Sequence, residues 1–220
     1  MQENDFTVAG QQQLDVAAAK VLRNTYTLLA ATVLFSTAAA AFSMATQMPY
    51  LGPWVTLIPY FGLLYLTNKF KNSSLGLVFV FALTGWLGFT IGPILNFYLA
   101  TQGSEPILLS LGGTALIFFS LSGYILVTKK DLSFMTGFLM TGMLVVFIAV
   151  IANLFLEISA LSLALSCMIL LLASGMILWQ TSAIIHGGET NYISATVTLF
   201  VMIFNIFQIL LMFIGMGDDD

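Results

Sequence analysis

The fold is decided by two apolar segments near the C-terminus, 160–185 (ALSLALSCMILLLASGMILWQTSAII) and 192–214 (YISATVTLFVMIFNIFQILLMFI), joined by residues 186–191 (HGGETN). Neither segment contains Lys, Arg, Asp or Glu. Both reach the roughly 20 apolar residues that an α-helix needs to cross a bilayer. The connector holds the chain's only histidine. The stretch therefore predicts two membrane helices joined by a short polar hairpin, with the rest of the chain as scaffold around it.

The composition points to the same class of protein. Of 220 residues, 59% are hydrophobic and only 7% are charged, with a mean hydropathy of +1.00. A soluble domain carries about 25% charged residues, so this chain cannot cover a soluble surface and its main surroundings must be a lipid bilayer. The apolar runs are longer than the roughly 9–11 residues of a membrane strand and do not alternate in polarity. We predict an all-α, polytopic membrane protein with no nucleic-acid partner.

Seven membrane segments can be placed along the chain. Five precede the hairpin pair, at 26–46, 54–67, 75–100, 106–127 and 133–156. Pro59 predicts a bend in the second, and Gly92-Pro93 predicts an interruption of the third because proline removes a backbone hydrogen bond. Asn96, one turn later, is placed to bind the freed carbonyls. The domain organisation is then a tail at 1–24, a seven-helix domain at 25–215 and a short acidic end at 216–220.

Basic residues predict the orientation. All six lie before the first segment or in alternate connections, namely Lys20, Arg23, Lys69, Lys71, Lys129 and Lys130. Lys and Arg are retained on the cytoplasmic side of a membrane. We therefore expect a cytoplasmic N-terminus, and after seven crossings an external C-terminus.

The N-terminal tail has two interpretations. Between residues 11 and 24, apolar side chains recur at helical spacing with Lys20 and Arg23 beside them, as in a helix lying at an anionic interface. The alternative is a disordered tail that leads into the first span. In either case Lys20 and Arg23 are candidates for contact with a partner.

Two groups of polar residues are candidates for a functional role. His186 and Glu189 could form a proton-sensing pair, although a helix-terminal histidine, a Gly-Gly stop and an acidic residue before the next helix also fit ordinary helix-end chemistry, which we favour. The second group could line a polar path, although interhelical hydrogen bonding is the commoner role of such side chains. This group comprises Asn96, Asn153, Gln180, Asn205 and Gln208.

Catalysis is not expected. The sequence has no Gly-x-Ser-x-Gly turn and no His-Glu-x-x-His pair. No acid or base lies at the centre of a predicted span, where an intramembrane protease needs one. We predict that the protein is not an enzyme and binds no cofactor or metal.

Three stretches resemble the Bax-inhibitor (lifeguard-type) membrane family. They are GWLGFTIGPIL at 85–95, GTALIF at 113–118 and IIHGGETNYI at 184–193. The last, together with VLRNTY at 21–26, is similar to the bacterial YccA branch of that family. The resemblance implies seven helices with the last one central and wrapped by the other six. It also implies location in the bacterial inner membrane, and association with and restraint of the membrane-anchored ATP-dependent protease FtsH.

The same family includes proton-sensitive calcium leak proteins, which gives an alternative function as a pH-sensitive cation channel. Those members carry a carboxylate on each of the last two helices, and the matching positions here are Gln180 and Met202. Two carboxylates that lie close together repel each other when both are ionised. The pKa of one of them is therefore raised, and the pair shares a proton. Glutamine and methionine do not titrate, so we expect no such gate and give calcium or protons little weight as ligands.

Overall fold

A computed structural model describes the backbone of residues 2–216 and the side chains of residues 16–216. This part of the chain is helical, without strands, apart from short connections and a 3-10 turn at Ser133–Met135. The helices are α1 (Gln2–Ala45), α2 (Gly52–Phe70), α3 (Ser74–Thr101), α4 (Glu105–Thr128), α5 (Thr136–Leu156), α6 (Ser159–Ile185) and α7 (Tyr192–Met216). The all-α prediction and the seven helices are confirmed.

Six of these seven helices are long and apolar enough to cross a membrane. The exception is α2, whose prolines, tyrosines and polar last turn lower its hydropathy. Its 19 residues nevertheless extend about 28 Å at 1.5 Å per residue, close to the roughly 30 Å of a hydrocarbon core. It begins beside the C-terminal end of α1 and ends beside the N-terminal end of α3, so it crosses the bundle from one end to the other.

Helix α7 is central in the bundle, as predicted. It packs against α1, α2, α3, α4 and α6, and Leu199, Ile206 and Leu211 on it are at most 1% exposed. The expectation that all six other helices wrap it is wrong in one respect. Among the described residues, no Cα atom of α5 lies within 8 Å of one in α7, because α5 packs on the outer side of α6.

The interruption predicted in the third segment is absent. Helix α3 is continuous through Pro93, and α2 is likewise one helix through Pro59. Membrane helices tolerate proline where neighbouring groups compensate for the lost bond. Asn96 also differs from the prediction: its side-chain amide donates to the carbonyl of Met44 at 3.0 Å, at the C-terminal end of α1. It thus joins two helices rather than repairing its own.

Helix α1 runs without a break through the boundary predicted after Asn24. The segment from residue 11 to 24 is therefore helical and continuous with the first span. Lys20 and Arg23 are exposed, whereas the side chains before Val16 lie outside the described residues. Of the acidic end predicted at 216–220, residues 217–220 also lie outside them. The cytoplasmic location of the tail stays a prediction.

Glycines set the spacing between α1 and α3. Gly85, Gly88 and Gly92 share one face of α3 and lie against α1. A Cβ atom built on Gly88 would lie 2.1 Å from the carbonyl oxygen of Ser36, far inside van der Waals contact. Small residues permit such close backbone approach where lipid offers no hydrophobic force between helices. This glycine face of α3 is therefore a helix-packing surface.

Candidate functional site at the basic end of the bundle

Hydrogen bonds show which connections meet at one end of the bundle. The side-chain amide of Asn191, in the α6–α7 connection, donates to the carbonyl of Lys71, in the α2–α3 connection, at 3.1 Å. Ser182, near the end of α6, donates to the carbonyl of Lys130 in the α4–α5 connection at 2.9 Å. Thr196, one turn into α7, bonds the carbonyl of Thr25 on α1 at 3.2 Å. We call this the basic end, because every Lys and Arg of the chain lies in these connections, in the last turn of α2 or on α1 before Thr25.

At the opposite end of the bundle, side-chain amides join the helix ends. Gln102, at the end of α3, donates to the carbonyl of Gly215 near the end of α7 at 2.6 Å. Asn96 and Met44 meet at the same end. Two acidic residues, Glu105 and Glu157, lie here and are exposed. The structure thus groups the connections as the distribution of charge predicts, with cations at one end.

The hairpin at 186–191 begins with a standard helix ending. Gly187 has φ +76°, the left-handed conformation that a helix C-terminus favours and that glycine adopts without strain. The backbone N–H of Glu189 then reaches back to the carbonyl of Ala183 at 3.0 Å. This satisfies a carbonyl of the last turn of α6, which would otherwise lack a partner.

The side chains of His186 and Glu189 have separate local partners. His186 is exposed, and its Nδ1 lies 2.9 Å from the carbonyl of Ser182, four residues earlier. An imidazole nitrogen must carry the proton to donate to a carbonyl. The carboxylate of Glu189 accepts the backbone N–H of Asn191 at 2.8 Å. This is the arrangement expected for helix-end chemistry, and the proton-sensing pair stays a prediction.

Ser182 connects this hairpin to the α4–α5 connection, a role that the sequence did not reveal. Its hydroxyl, on a residue 1% exposed, accepts the backbone N–H of Leu132 at 3.0 Å while donating to Lys130. One hydroxyl therefore forms hydrogen bonds with two backbone groups of a loop, where no helix or strand provides partners for them. Nothing in the sequence marks a serine in an apolar helix for this task, since its partners are 50 and 52 residues away.

Asp131 lies in the same connection and contributes a negative charge to the basic end. Its carboxylate accepts the backbone N–H of Ser133 at 2.8 Å. Hydrogen bonding from Ser133 lowers the pKa of Asp131, and the nearby His186 lowers that pKa further. Because a carboxylate is stabilised by such donors, Asp131 stays ionised at neutral pH beside the histidine.

Asn191 is the second residue that the sequence analysis missed. Its Oδ1 accepts the N–H groups of Ile193 and Ser194, both at 3.0 Å, and so caps the N-terminus of α7. Its amide nitrogen bonds Lys71 and also Asn72, the latter at 2.7 Å. An asparagine directly before an apolar run is a recognised helix-start signal. The capping could have been read from the sequence, but the bonds to residues 71 and 72 could not.

The five polar candidates do not come together. Asn96 lies at the opposite end of the bundle. Asn153 lies near the end of α5, where its side-chain nitrogen donates to the hydroxyl of Ser162 at 2.6 Å and its oxygen accepts the backbone N–H of Ile158 at 3.1 Å. Gln180 is 2% exposed and its side-chain nitrogen has no hydrogen-bond partner. Asn205 and Gln208 are half-buried on α7. No hydrogen bond among the described residues joins any two of the five, and a continuous path stays a prediction.

Acidic and basic side chains avoid the interior of the described part of the chain. Its buried polar residues are serines, threonines and Gln180. Gln180 and Met202, the positions matching the carboxylate pair of the leak proteins, are 2% and 5% exposed. Among the same residues, no group of three or more His, Cys, Asp or Glu is placed to hold a metal ion.

Comparison with known proteins gives matches over nearly the whole chain. Residues 18–219 match the family described as "Bax1-I: Inhibitor of apoptosis-promoting Bax1". "Modulator of FtsH protease YccA" from Escherichia coli (strain K12) is 50% identical over 201 residues, which cover 91% of this chain and 92% of that protein. "Inner membrane protein YccA" from Escherichia coli O6:H1 matches equally. An uncharacterized protein from Pseudomonas aeruginosa is 49% identical over the full length of both chains.

Proposed function

The chain belongs to the Bax inhibitor family, and on that premise we propose that it is a non-catalytic regulator that associates with and restrains a membrane-anchored ATP-dependent protease of the FtsH type. It is a multi-pass inner-membrane protein. The observation that carries the proposal is 50% identity, over 91% of the chain, to a protein named as a modulator of FtsH protease. We further propose that the basic end faces the cytoplasm.

The basic end supplies a surface suited to a partner. Lys69, Lys129, Lys130 and His186 are exposed there. Ser182 ties the α4–α5 connection to the end of α6, and Asn191 ties the α6–α7 connection to the α2–α3 connection that follows Lys69. Loops held in this way lose little conformational entropy on binding, which favours recognition by a macromolecule.

Helix α1 supplies a handle at the same end. It begins at Gln2, whereas the hydrogen bond that joins it to α7 is made at Thr25. About 23 residues, or roughly 35 Å of helix at 1.5 Å per residue, thus precede that contact. An energy-driven protease needs a chain end to engage, and this one lies on the side that we propose to be cytoplasmic.

Association is tested by purification from a mild detergent. The tagged chain is expected to retain an FtsH-type protease, and a variant lacking residues 2–20 to retain less of it and to persist longer in cells. A variant with residues 2–20 replaced by an unrelated polar segment of the same length separates length from sequence. Recovery of no protease with the full chain would overturn the association.

Restraint is tested separately with purified components. The protease is reconstituted in liposomes with a membrane substrate, and the degradation rate is measured as the chain is added. We expect the rate to fall as the ratio of chain to protease rises. An unchanged rate, with binding intact, would leave association and overturn restraint.

The alternative function, a pH-sensitive cation leak, gains no support from the described residues. The carboxylate positions hold Gln180 and Met202, and the polar candidates are not connected. Ion flux from purified protein in liposomes, above that of empty vesicles and weakened by replacing Asn205 or Gln180, would be needed to favour it.

A further inference from the structure

A groove of about 590 Å³ runs along the membrane-facing side of the bundle between α1 and α4. Among the described residues, no Cα atom of α1 lies within 8 Å of one in α4, although both helices pack on α7. The groove therefore opens where two neighbours of α7 fail to meet. Its walls include Tyr26 and Ala30 on α1 and Ala115 and Phe119 on α4, and its floor includes Phe204 on α7.

The groove offers its occupant almost nothing but hydrocarbon. Two of its few polar residues, Thr37 and Thr114, donate their hydroxyl groups to carbonyls of their own helices, at 2.9 Å to Val33 and 2.6 Å to Ser110. Hydroxyls satisfied in this way need no outside partner. The exception is Tyr26, at the mouth nearest Arg23, whose hydroxyl is buried without a hydrogen-bond partner. The rest of the walls fits an aliphatic chain.

The length of the groove suits the acyl chain of a lipid. From Tyr26 to Ala40, the α1 wall is about 21 Å long at 1.5 Å per residue. The acyl chains of one leaflet occupy half of the roughly 30 Å hydrocarbon core, so the groove is long enough to hold one of them along its length.

Positive charge lies at one mouth of the groove. Arg23 is three residues before Tyr26, so it is one turn beyond the groove on the same side of α1, and it is exposed. Lys20 is exposed a further turn away, and no acidic residue occurs on α1 between Val16 and Ala45. Two cations at the rim of an apolar channel complement a lipid with an anionic headgroup.

From this combination we propose that the groove is a binding site for an anionic phospholipid, with one acyl chain between α1 and α4 and the phosphate at Arg23 and Lys20. Van der Waals contact between the acyl chain and the groove walls supplies affinity, because lipid offers no hydrophobic force for the transfer. The two cations supply the preference for a negative headgroup. The site is independent of the protease and does not rest on the proposed function.

The test measures lipid binding to the purified full chain in detergent by native mass spectrometry. The probes are dioleoyl phosphatidylglycerol and dioleoyl phosphatidylcholine, which share acyl chains and differ in charge. Ala30→Phe and Ala115→Phe fill the groove from opposite walls, so that misfolding of one leaves the other informative. Ala152→Phe, at an exposed position on the far face of α5, is the matched control.

Phosphatidylglycerol is expected to bind about thirtyfold more tightly than phosphatidylcholine, because two surface cations at about 1 kcal/mol each together give about 2 kcal/mol, at about 1.4 kcal/mol per tenfold. Both groove variants should lose binding of both lipids, whereas Ala152→Phe should not. The double variant Lys20→Gln with Arg23→Gln should reduce the affinity for phosphatidylglycerol to that for phosphatidylcholine. The double variant Lys129→Gln with Lys130→Gln should leave it unchanged.

Three results would overturn the proposal. Lipid binding that is equal in Ala30→Phe, Ala115→Phe and Ala152→Phe would remove the groove as the site. A headgroup preference that survives loss of Lys20 and Arg23 would remove the role of those cations. A groove variant that keeps its lipid but loses self-association or a protein partner would assign the groove to a protein instead.

Discussion

The side-chain amide of Asn191 donates to the backbone carbonyl of Lys71 at 3.1 Å, across 120 residues of sequence. The oxygen of the same amide caps α7. One side chain thus starts the central helix and fixes the α2–α3 connection beside it.

Replacing Asn191 separates these two roles. Asn191→Ala should lower the free energy of unfolding by about 1–2 kcal/mol for loss of the cap, plus the loss of the bonds to residues 71 and 72. Asn191→Asp keeps an acceptor at a helix N-terminus, where negative charge is favourable, but loses the amide donor, and should cost less. Thermal unfolding in detergent gives the order of stability of the parent and the two variants. An Asn191→Ala variant as stable as the parent would contradict the prediction.

Ser182→Ala should destabilise the α4–α5 connection. It leaves the N–H of Leu132 and the carbonyl of Lys130 without their partner, at about 0.5–1.5 kcal/mol for each of these part-buried hydrogen bonds. Ser166→Ala removes a hydroxyl that bonds the carbonyl of its own preceding turn and should change stability little. Equal unfolding temperatures for the two variants would show that the Ser182 bonds carry no stability.

Gly88→Ala should separate α1 from α3. Its Cβ atom would lie 2.1 Å from the carbonyl oxygen of Ser36, and such overpacking typically costs about 1–3 kcal/mol. Gly112→Ala is the control, because no atom lies within 4 Å of its Cβ position; alanine is the better helix former by about 1 kcal/mol, so this variant should be neutral or more stable. A shared response of the two variants would contradict close α1–α3 packing.

Stability should depend on pH through Asp131. Hydrogen bonds from Ser133 lower the pKa of Asp131 in the folded state below its ordinary 3.8. The ionised form therefore stabilises the fold above pH 3.8, and this contribution is lost as pH falls from there through the lowered pKa. Unfolding of the parent and of Asp131→Asn is measured between pH 2 and pH 6. The advantage of the parent should be greatest at the upper end and vanish at the lower; a constant difference would exclude this linkage.

The orientation of the two ends can be measured with single cysteines in a Cys167→Ala background. A membrane-impermeant thiol reagent added to intact cells should label Ser104→Cys, at the opposite end, and should not label Lys129→Cys, at the basic end. Permeabilised cells should give labelling of both. Labelling of Lys129→Cys alone in intact cells would invert the proposed topology.

Sequence patterns predicted the helices well and their interruptions poorly. Hydropathy places the spans because lipid tolerates few charges, and the alternation of basic connections matched the two ends that the structure shows. Pro93 predicted a break that is absent, since proline weakens a helix locally while neighbouring helices hold it in place. The prediction that all six other helices surround α7 was wrong for α5, because an apolar sequence shows that a helix lies in the membrane but not which helix it contacts.

By itself, the sequence determined that the chain lies in a lipid bilayer, that it is helical, how many helices it has and at which end of the bundle each connection lies. These features follow from the length of the apolar segments and from the positions of the charged residues along the chain. The tertiary structure alone decided that Asn191, Ser182 and Asn96 join connections and helix ends far apart in sequence, and that α1 and α4 leave a groove between them. Such features depend on distances between residues 50 or more positions apart, and those distances are set by how helices pack rather than by any local pattern.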